Sequence, residues 1–497
     1  MTKRVFHHSR ARGRGRSVRR TGASVSGTMG NWVSSLVSAM CAEREKRRVA
    51  DRALDLYTND AMAHGVMESL VVEAVGIGQT PCFSPRLDLL GRSPEWGEDY
   101  QRQALTLFER WGLDCRKWCD AQRRSTFYGL QALAYFGWKL DGISLFQVVS
   151  RPDPLRPLSL ALLPIDASRL VSPRSASAEI YDGIEIDADG QPIAVWLRKP
   201  GERAQCVNDA QCTRHEIWDA RTGLPKLLIV GDVRNISEYR QDSILGPIIK
   251  EIRDSNDFVD AALVGALVRN LFVLFVEDMS TGGTNRDTPL EERVLELDKG
   301  TVLQGAAREK PQFFSHSAAP NGYQELFGGI VDRVGMATGR GSESVLRRFQ
   351  ASYSASRANI EKAEQYNEYE RSILNTTFNQ PALAWMQYEG ALRGHLPVGA
   401  VDMEEHLFEY TRCDFMPQPF RHIDREKISK ANTLDLASNT NTLARIHGEG
   451  GRDWREELTQ RAREKKFIAE LEAQYGVSFE AQDMKLSGGK KDEEEDD

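Results

Sequence analysis

The feature that most constrains the fold is a long charged segment that begins with the sequence YSASRA at residues 353–358 and runs to about Tyr388. Apolar residues recur within it every three or four positions, with charged residues between them: Ile360, Ala363, Tyr366, Tyr369 and Ile373. This spacing predicts an amphipathic helix whose apolar stripe faces a partner. Because proline lacks a backbone N–H, Pro381 should kink or end the helix near Gln380.

The segment before this helix is basic and hinged by glycine. Residues 338–342 (TGRGS) predict a flexible turn, and the paired Arg347 and Arg348 follow in a short loop or helical turn. A basic loop therefore leads into a long rigid helix.

The start of the helix carries Ser354, Ser356 and Arg357, which raise the alternative of a nucleophile beside an anion clamp. No His or Lys base lies near them in the sequence, as nucleophilic catalysis by serine would require. The residues instead favour a serine cap on the helix and an ion pair between Arg357 and Glu361 one turn further on.

Charge is concentrated at the ends of the chain. Over its 497 residues, 65 Lys and Arg oppose 72 Asp and Glu, which gives a formal net charge of −7. Such a chain is not built as a whole to clamp nucleic acid. A basic tail at 1–30 and an acidic tail at 481–497 are both predicted to be disordered, since neither can bury enough apolar surface to offset the loss of conformational entropy.

The sequence offers no sign of catalysis, metal or cofactor. Its seven cysteines include no C-x2-C pair, so buried thiols in a reducing compartment are favoured over a zinc site. The phosphate-loop, G-x-S-x-G and H-E-x-x-H patterns are also missing. We therefore expect a protein that is not an enzyme and that needs no cofactor.

One apolar run, residues 258–276, is nearly long enough to cross a bilayer. Asp260, Arg269 and Asn270 interrupt it, and each is costly at membrane depth. Gly246 and Pro247 open this segment, and its apolar stripe continues for nearly thirty residues. We expect a helix packed against its own chain or other subunits, with no membrane contact.

Elsewhere the patterns predict an α+β chain. Helices are expected at 31–56, 60–74, 96–111, 116–136, 323–336 and 453–473. Short runs between Pro and Gly predict strands at 144–149, 160–163 and 193–197, and further short strands within 295–314. Asp187 and Asp189 in the sequence DADG predict a hairpin turn, because a calcium loop would need a later bidentate Glu.

Several motifs together resemble the lambda-like family of tailed-phage portal proteins. Residues 59–78, which end in AVGIG, look like that family's first helix and turn, and GIEID with GQP and Trp196 is similar to its central hairpin. YRQDS at 239–243 looks like the family's arginine-glutamine turn. The signature is matched by Tyr353, Ser354, Ser356 and Arg357, and IDREK at 423–427 resembles a C-terminal stretch. The likeness covers about 32–477, and the order of the motifs makes it specific.

The resemblance implies a portal fold with long stem and wing helices and small β regions, assembled as a closed cyclic ring. It divides the chain into a wing region (31–246), a stem helix (247–278), a clip (279–322), a second stem helix (323–337), a tunnel loop (338–352), a wing helix (353–400) and a crown (401–480). Heterologous contacts that close generate such rings, here usually of twelve subunits.

The resemblance also implies a function. A portal is the channel at one capsid vertex through which double-stranded DNA is packaged and ejected without sequence preference. Its implied partners are further copies of the chain, the large subunit of terminase, the major capsid protein or a scaffold, and a head-completion or adaptor protein. Its place is the virion, and the host cytoplasm during assembly.

Arg340, Arg347 and Arg348 are the candidates for transient contact with DNA phosphates. Strong phosphate binding would brake sliding DNA, so a few loop arginines on an acidic chain suit conduction. The alternative for these three residues is salt bridging to acids of a neighbouring subunit. The alternative function is a nucleic-acid-processing enzyme or packaging accessory protein, which the arginine loop and basic tail also permit.

Overall fold

The computed structural model describes residues 43–173, 179–199, 211–236, 238–270, 274–278, 309–313, 323–346, 353–417, 425–449 and 454–476. The helices in these ranges are α1 (Glu43–Asn59), α2 (Ala61–Ala74), α3 (Leu87–Leu90), α4 (Pro94–Phe108), α5 (Phe127–Asp141), α6 (Ile249–Asn270), α7 (Tyr323–Thr338), α8 (Ser342–Leu346), α9 (Tyr353–Leu374), α10 (Gln380–Leu392), α11 (Ala400–Glu405), α12 (Leu407–Thr411), α13 (Arg425–Ala437), α14 (Leu443–Glu449) and α15 (Trp454–Tyr475).

The strands form small antiparallel sheets. They are β1 (Thr80–Phe83), β2 (Ser144–Ser150), β3 (Leu160–Ile165), β4 (Glu179–Tyr181), β5 (Ile184–Ile186), β6 (Pro192–Arg198), β7 (Cys212–Glu216), β8 (Leu227–Val230), β9 (Leu274–Asp278), β10 (Glu309–Phe313) and β11 (Cys413–Met416). Their orders are β3-β2-β8, β4-β5-β6-β7, β1-β11 and β10-β9. The α+β prediction is confirmed at this level.

The hairpin between β5 and β6 turns as predicted. The Asp187 carboxylate accepts hydrogen bonds from the backbone N–H groups of Asp189 (2.9 Å) and Gln191 (2.8 Å). Gly190 has a φ of 86°, a left-handed conformation that glycine adopts at little cost. The aspartates thus organise a turn, and the described residues contain no cluster of His, Cys, Asp or Glu that could hold a metal ion.

The predicted helix over 116–136 is wrong in its first half, since α5 begins only at Phe127. The buried Asp120 carboxylate accepts backbone hydrogen bonds from Gln122, Arg124 and Ser125 at 2.8, 2.8 and 3.0 Å. These bonds satisfy the N–H groups in a looped conformation that competes with a helix. Cys115 and Cys119 therefore lie before α5 and not within it.

The stem segment is shorter than predicted. A 3₁₀ turn at Gly246–Ile248 leads into α6, which ends at Asn270 after 22 residues, and Leu274 already belongs to β9. β9 pairs antiparallel with β10, with Leu274 opposite Phe313 and Asp278 opposite Glu309. The pairing holds the two ends of segment 279–308 together. In the described part of the chain, none of the helices combines the length and apolar character that crossing a bilayer requires.

Pro381 does not end the long helix. α9 passes through a π-turn at Asn375–Asn379 directly into α10, where Pro381 lies in the first turn. The π-turn shifts the register of the helical hydrogen bonds, so the backbone N–H that Pro381 lacks is not required there. Phe378 of this turn is fully buried against Phe127 of α5 and Phe146 of β2, with ring centroids 5.7 and 4.7 Å apart. The π-turn thus sits in the main hydrophobic core.

The ends of the described chain follow the predictions in part. α1 covers 43–59, and residues 31–42 of the predicted first helix lie outside the described residues. α7 and α15 confirm the helices predicted at 323–336 and 453–473. Both predicted tails lie outside the described residues, as does most of the segment predicted to form strands within 295–314.

Candidate functional site at the loop and helix junction

The turn after α7 is fixed by its backbone. Gly339 has a φ of 70°, and the N–H of Arg340 donates to the Gly335 carbonyl at 2.9 Å, which is the pattern of a Schellman cap. A Cβ added at Gly339 would lie 2.7 Å from the Tyr366 ring of α9. The sequence TGRGS therefore forms a tight, packed turn, and not the flexible turn predicted.

Arg340 points from this turn into the protein. Its side chain is only 2% exposed, and its Nη2 lies 2.6 Å from Asn367 Oδ1 and 3.3 Å from Glu370 Oε2. Its Nε lies 2.9 Å from Glu73 Oε2 at the end of α2. A DNA phosphate has no path to this guanidinium in the conformation described. Its ion pairs lie within its own chain, unlike either role predicted for Arg340.

Glu370 is the centre of the buried charges. Besides Arg340, it pairs with Lys139 of α5 at 2.7 Å and accepts a hydrogen bond from the Tyr135 hydroxyl. Lys139 Nζ also lies 3.6 Å from the centroid of the Trp138 ring. Burial lowers the pKa of Lys139, against the opposing effect of Glu370, and burial together with Glu370 raises the pKa of Tyr135. Two cations and one phenol thus converge on one carboxylate.

Arg371, the next residue along α9, ties that helix to α2. Its Nε donates to the Ala74 carbonyl at 2.8 Å and its Nη2 to the Glu73 carbonyl at 2.9 Å, while its Nη1 lies 2.5 Å from Glu364. The last carbonyls of a helix lack partners within the helix and carry partial negative charge. Arg371 therefore caps the C-terminus of α2. We call Arg340, Glu370, Lys139, Glu73 and Arg371 the junction cluster.

The signature stretch lies beside this cluster. Ser356 is buried and its Oγ donates to Glu343 Oε1 of α8 at 3.3 Å, so the serine links α9 to α8 and is not placed as a nucleophile. The predicted pair between Arg357 and Glu361 is confirmed at 2.9 Å on the exposed face. The side chains of Tyr353 and Ser354, and all of Arg347 and Arg348, lie outside the described residues.

The buried face of α9 is polar, which differs from the predicted apolar stripe. Tyr366 and Tyr369 of the stripe are 50% and 49% exposed, whereas Asn367, Glu370 and Arg371 are nearly buried. Sequence reasoning missed Glu370 and Lys139 because their partners lie on other elements. The available signal was the spacing of Ser356, Asn367, Glu370 and Arg371, which places polar residues on one helix face.

Residues 26–371 match the family described as phage portal protein, lambda family. Because the match covers more than half of the sequence, this chain belongs to the lambda family of phage portal proteins. The match spans α1 to most of α9 and includes the junction cluster. The C-terminal motif at 423–427 lies beyond it.

A comparison with solved structures lists three chains from gene transfer agent (GTA) particles. A chain from "Virion of native gene transfer agent (GTA) particle" has a TM-score of 0.42 and 11% identity, covering 84% of this chain and 96% of that one. A chain from "Neck of native GTA particle computed with C12 symmetry" has a TM-score of 0.41 and 11% identity, covering 78% and 89%. A chain from "Neck of empty GTA particle computed with C6 symmetry" has a TM-score of 0.42 and 12% identity, covering 80% of this chain and 93% of that one. A comparison with curated proteins finds no match.

Proposed function

We propose that this chain is the subunit of a closed portal ring, usually of twelve copies, that conducts double-stranded DNA at one vertex of a phage capsid during packaging and ejection. The observation that carries the proposal is membership of the lambda portal family over residues 26–371. The ring would place the protein in the virion, and in the host cytoplasm while it assembles.

The stem supports the proposal. α6 and α7 are linked by an ion pair between Glu251 and Arg333, and both expose apolar side chains. We define the stem surface as Val259 (38% exposed), Leu263 (59%) and Val264 (57%) of α6 and Leu326 (49%) of α7. Exposed apolar side chains grouped on adjoining helices are typical of surfaces that a protein partner covers. A neighbouring copy is the partner that a ring supplies.

Each region of the chain would then have its own place in the ring. α6 (Ile249–Asn270) and residues 323–337 would wall the channel as the stem. Residues 279–322 would form the clip that docks the large subunit of terminase and the head-completion or adaptor protein. Residues 31–246 and 353–400 would form the wing against the capsid protein or scaffold. Residues 401–480 would form the crown. The β9–β10 pairing, which brings together both ends of 279–308, fits a clip that projects as one unit.

The DNA contact would fall to Arg347 and Arg348. Arg340 is committed to Glu370 and Glu73, so its part is to anchor the turn that precedes α8 and the two arginines in sequence. Transient contacts through a few such residues would guide DNA without braking it.

Packaging in producing cells tests this function. Loss of the chain should leave heads without DNA, and supplying it in trans should restore DNA-filled heads. Replacing Arg347 and Arg348 by Ala should leave rings assembled and lower the yield of filled heads. Filled heads in the absence of the chain would refute the portal function. Unchanged yield with the double variant would refute only the arginine contact.

A further inference from the structure

A second basic surface lies at the far end of α5 from the junction cluster. It is formed by the loop between α4 and α5 and by residues 151–156. These segments (109–126 and 151–156) carry seven basic and four acidic residues in a chain whose net charge is −7. α5 has 15 residues and spans about 22 Å, so the loop at its start is well separated from Lys139 near its end.

The loop is held rigidly. The Asp120 carboxylate binds three of the loop's own N–H groups, as described above. The loop also adds to the edge of β3, where the N–H of Leu162 donates to the Cys119 carbonyl at 2.7 Å and the N–H of Ala121 donates to the Leu162 carbonyl at 2.9 Å. Lys117 and Arg123 adopt left-handed backbone conformations with φ of 55° and 56°. The backbone that carries the basic side chains is therefore held by its own hydrogen bonds.

Arginines surround one buried indole at the centre of this loop. Trp118 is 2% exposed, and the guanidinium carbons of Arg123, Arg116 and Arg156 lie 4.2, 5.1 and 5.4 Å from its ring centroid. Attraction of cations to the ring face fixes the guanidiniums. Arg156 is buried and bonded to the Leu158 carbonyl, whereas the side chains of Arg116 and Arg123 are 57% and 48% exposed.

The exposed cations are only partly neutralised. Arg116 pairs with Asp114 at 2.6 Å, and Arg123 lies 3.6 Å from Asp153. Arg124 and Arg151 are exposed and have no carboxylate within 4 Å among the described residues. We call Arg116, Lys117, Arg123, Arg124 and Arg151 the basic platform.

We propose that the basic platform is a docking surface for the phosphate backbone of double-stranded DNA, distinct from the channel loop. Guanidinium groups bind phosphate bidentately, and four of the five platform cations are arginines. Gln122 and Ser125 lie between the arginines in sequence, and within segments 109–126 and 151–156 Leu155 is the one large apolar side chain that is strongly exposed (73%). A single exposed leucine is not the extended apolar centre typical of a protein interface. This favours a nucleic acid over an acidic protein.

The inference rests on the proposed function only for the presence of DNA beside the protein. DNA held here would lie against the wing, outside the channel. Contacts of this kind carry no sequence preference and weaken with salt because each neutralised phosphate releases counterions.

Fluorescence anisotropy of a labelled 30-base-pair duplex of random sequence, titrated with the full-length protein at several NaCl concentrations, tests the platform. The triple variant Arg123→Gln, Arg124→Gln and Arg151→Gln should flatten the slope of log K against log salt by about 2.7, since each lost phosphate contact removes about 0.9. The matched control neutralises three exposed lysines on α13 and α15: Lys430→Gln, Lys465→Gln and Lys466→Gln. It should change the slope by less than about 1.

A second variant guards against damage to the fold. Arg124→Gln with Arg151→Gln leaves the arginines around Trp118 intact and should flatten the slope by about 1.8. Slopes equal to the control in both variants would overturn the proposal. Loss of binding to polyglutamate with unchanged DNA binding would also overturn it and would indicate an acidic protein partner. Failure of the unaltered protein to form rings would count against the portal function and not against the platform.

Discussion

The junction cluster and the stem surface adjoin the same helix, α7, but differ in what completes them. At the junction, Arg340 is 2% exposed and finds its carboxylates within its own chain. On the stem, Leu263 and Val264 are more than half exposed, and no described residue covers them comparably. One chain thus fixes the geometry of the turn at Arg340 by itself, whereas in the ring we propose a neighbouring copy would cover the stem surface.

The largest expected effect is on the stem. Leu263→Glu would place a charge in the contact that we assign to a neighbouring subunit, where its desolvation has no compensating partner, so rings should be lost. Size-exclusion chromatography should show monomers with an unchanged unfolding temperature. The control Leu89→Glu on α3, also 60% exposed, should leave rings intact. Rings formed equally by both variants would contradict a subunit contact at the stem surface.

Glu370→Gln should lower the stability of the folded chain, whereas Leu263→Glu should prevent ring assembly. It leaves Arg340 and Lys139 buried without their shared carboxylate, and removing one member of a buried pair costs about 3–5 kcal/mol. Denaturant unfolding of the dissociated chain measures this loss. The control Glu361→Gln, in an exposed pair with Arg357, should cost less than about 0.5 kcal/mol. Equal losses would show that the junction is not a buried ion network.

Gly339→Ala tests the turn that carries Arg340. The φ of 70° and the Tyr366 ring 2.7 Å from the new Cβ predict a loss of about 1–3 kcal/mol. Gly329→Ala lies within α7, the helix that this turn ends, where an added Cβ would have nothing within 4 Å, so it should stabilise the protein by about 0.5–1 kcal/mol. Thermal unfolding compares the two. A neutral Gly339→Ala would mean that the turn is as flexible as its sequence first predicts.

Asp141 at the end of α5 offers a smaller, pH-dependent test. Burial raises its pKa from 3.8 to about 6, although Arg240 opposes the shift. The folded state therefore holds a proton that the unfolded state has lost between these values, and stability falls as pH rises from about 4 to 6. Asp141→Asn should stabilise the protein by about 1–2 kcal/mol at pH 7 and by little at pH 4. Equal gains at both pH values would contradict the shift.

Local patterns predicted much of the fold. The cap Asp60 accepts a hydrogen bond from the N–H of Ala63 at 2.6 Å and begins α2 where expected, and the turn at Asp187 joins two predicted strands. These signals are short-range, so one stretch of sequence contains them whole.

The errors arise where distant residues decide the outcome. The α9 stripe was right only in part, since Ile373 packs against the main core but Tyr366 and Tyr369 are half exposed. The buried position is taken by Glu370, whose partner Lys139 is 231 residues away in sequence. The helix predicted over residues 116–126 does not form, because Asp120 and the edge of β3 accept and donate the hydrogen bonds of its backbone. Pro381 was expected to kink or end the helix near Gln380, and the helix instead continues into α10 through a π-turn at Asn375–Asn379. Of the candidate site, sequence identified the right turn and helix, but not the direction in which Arg340 points.

If further copies of the chain cover the stem surface, the purified protein should assemble without other proteins. Native mass spectrometry, supported by electron microscopy, measures this assembly. We expect closed rings whose mass is that of about twelve copies of 55.9 kDa. A stable monomer at high concentration would contradict it.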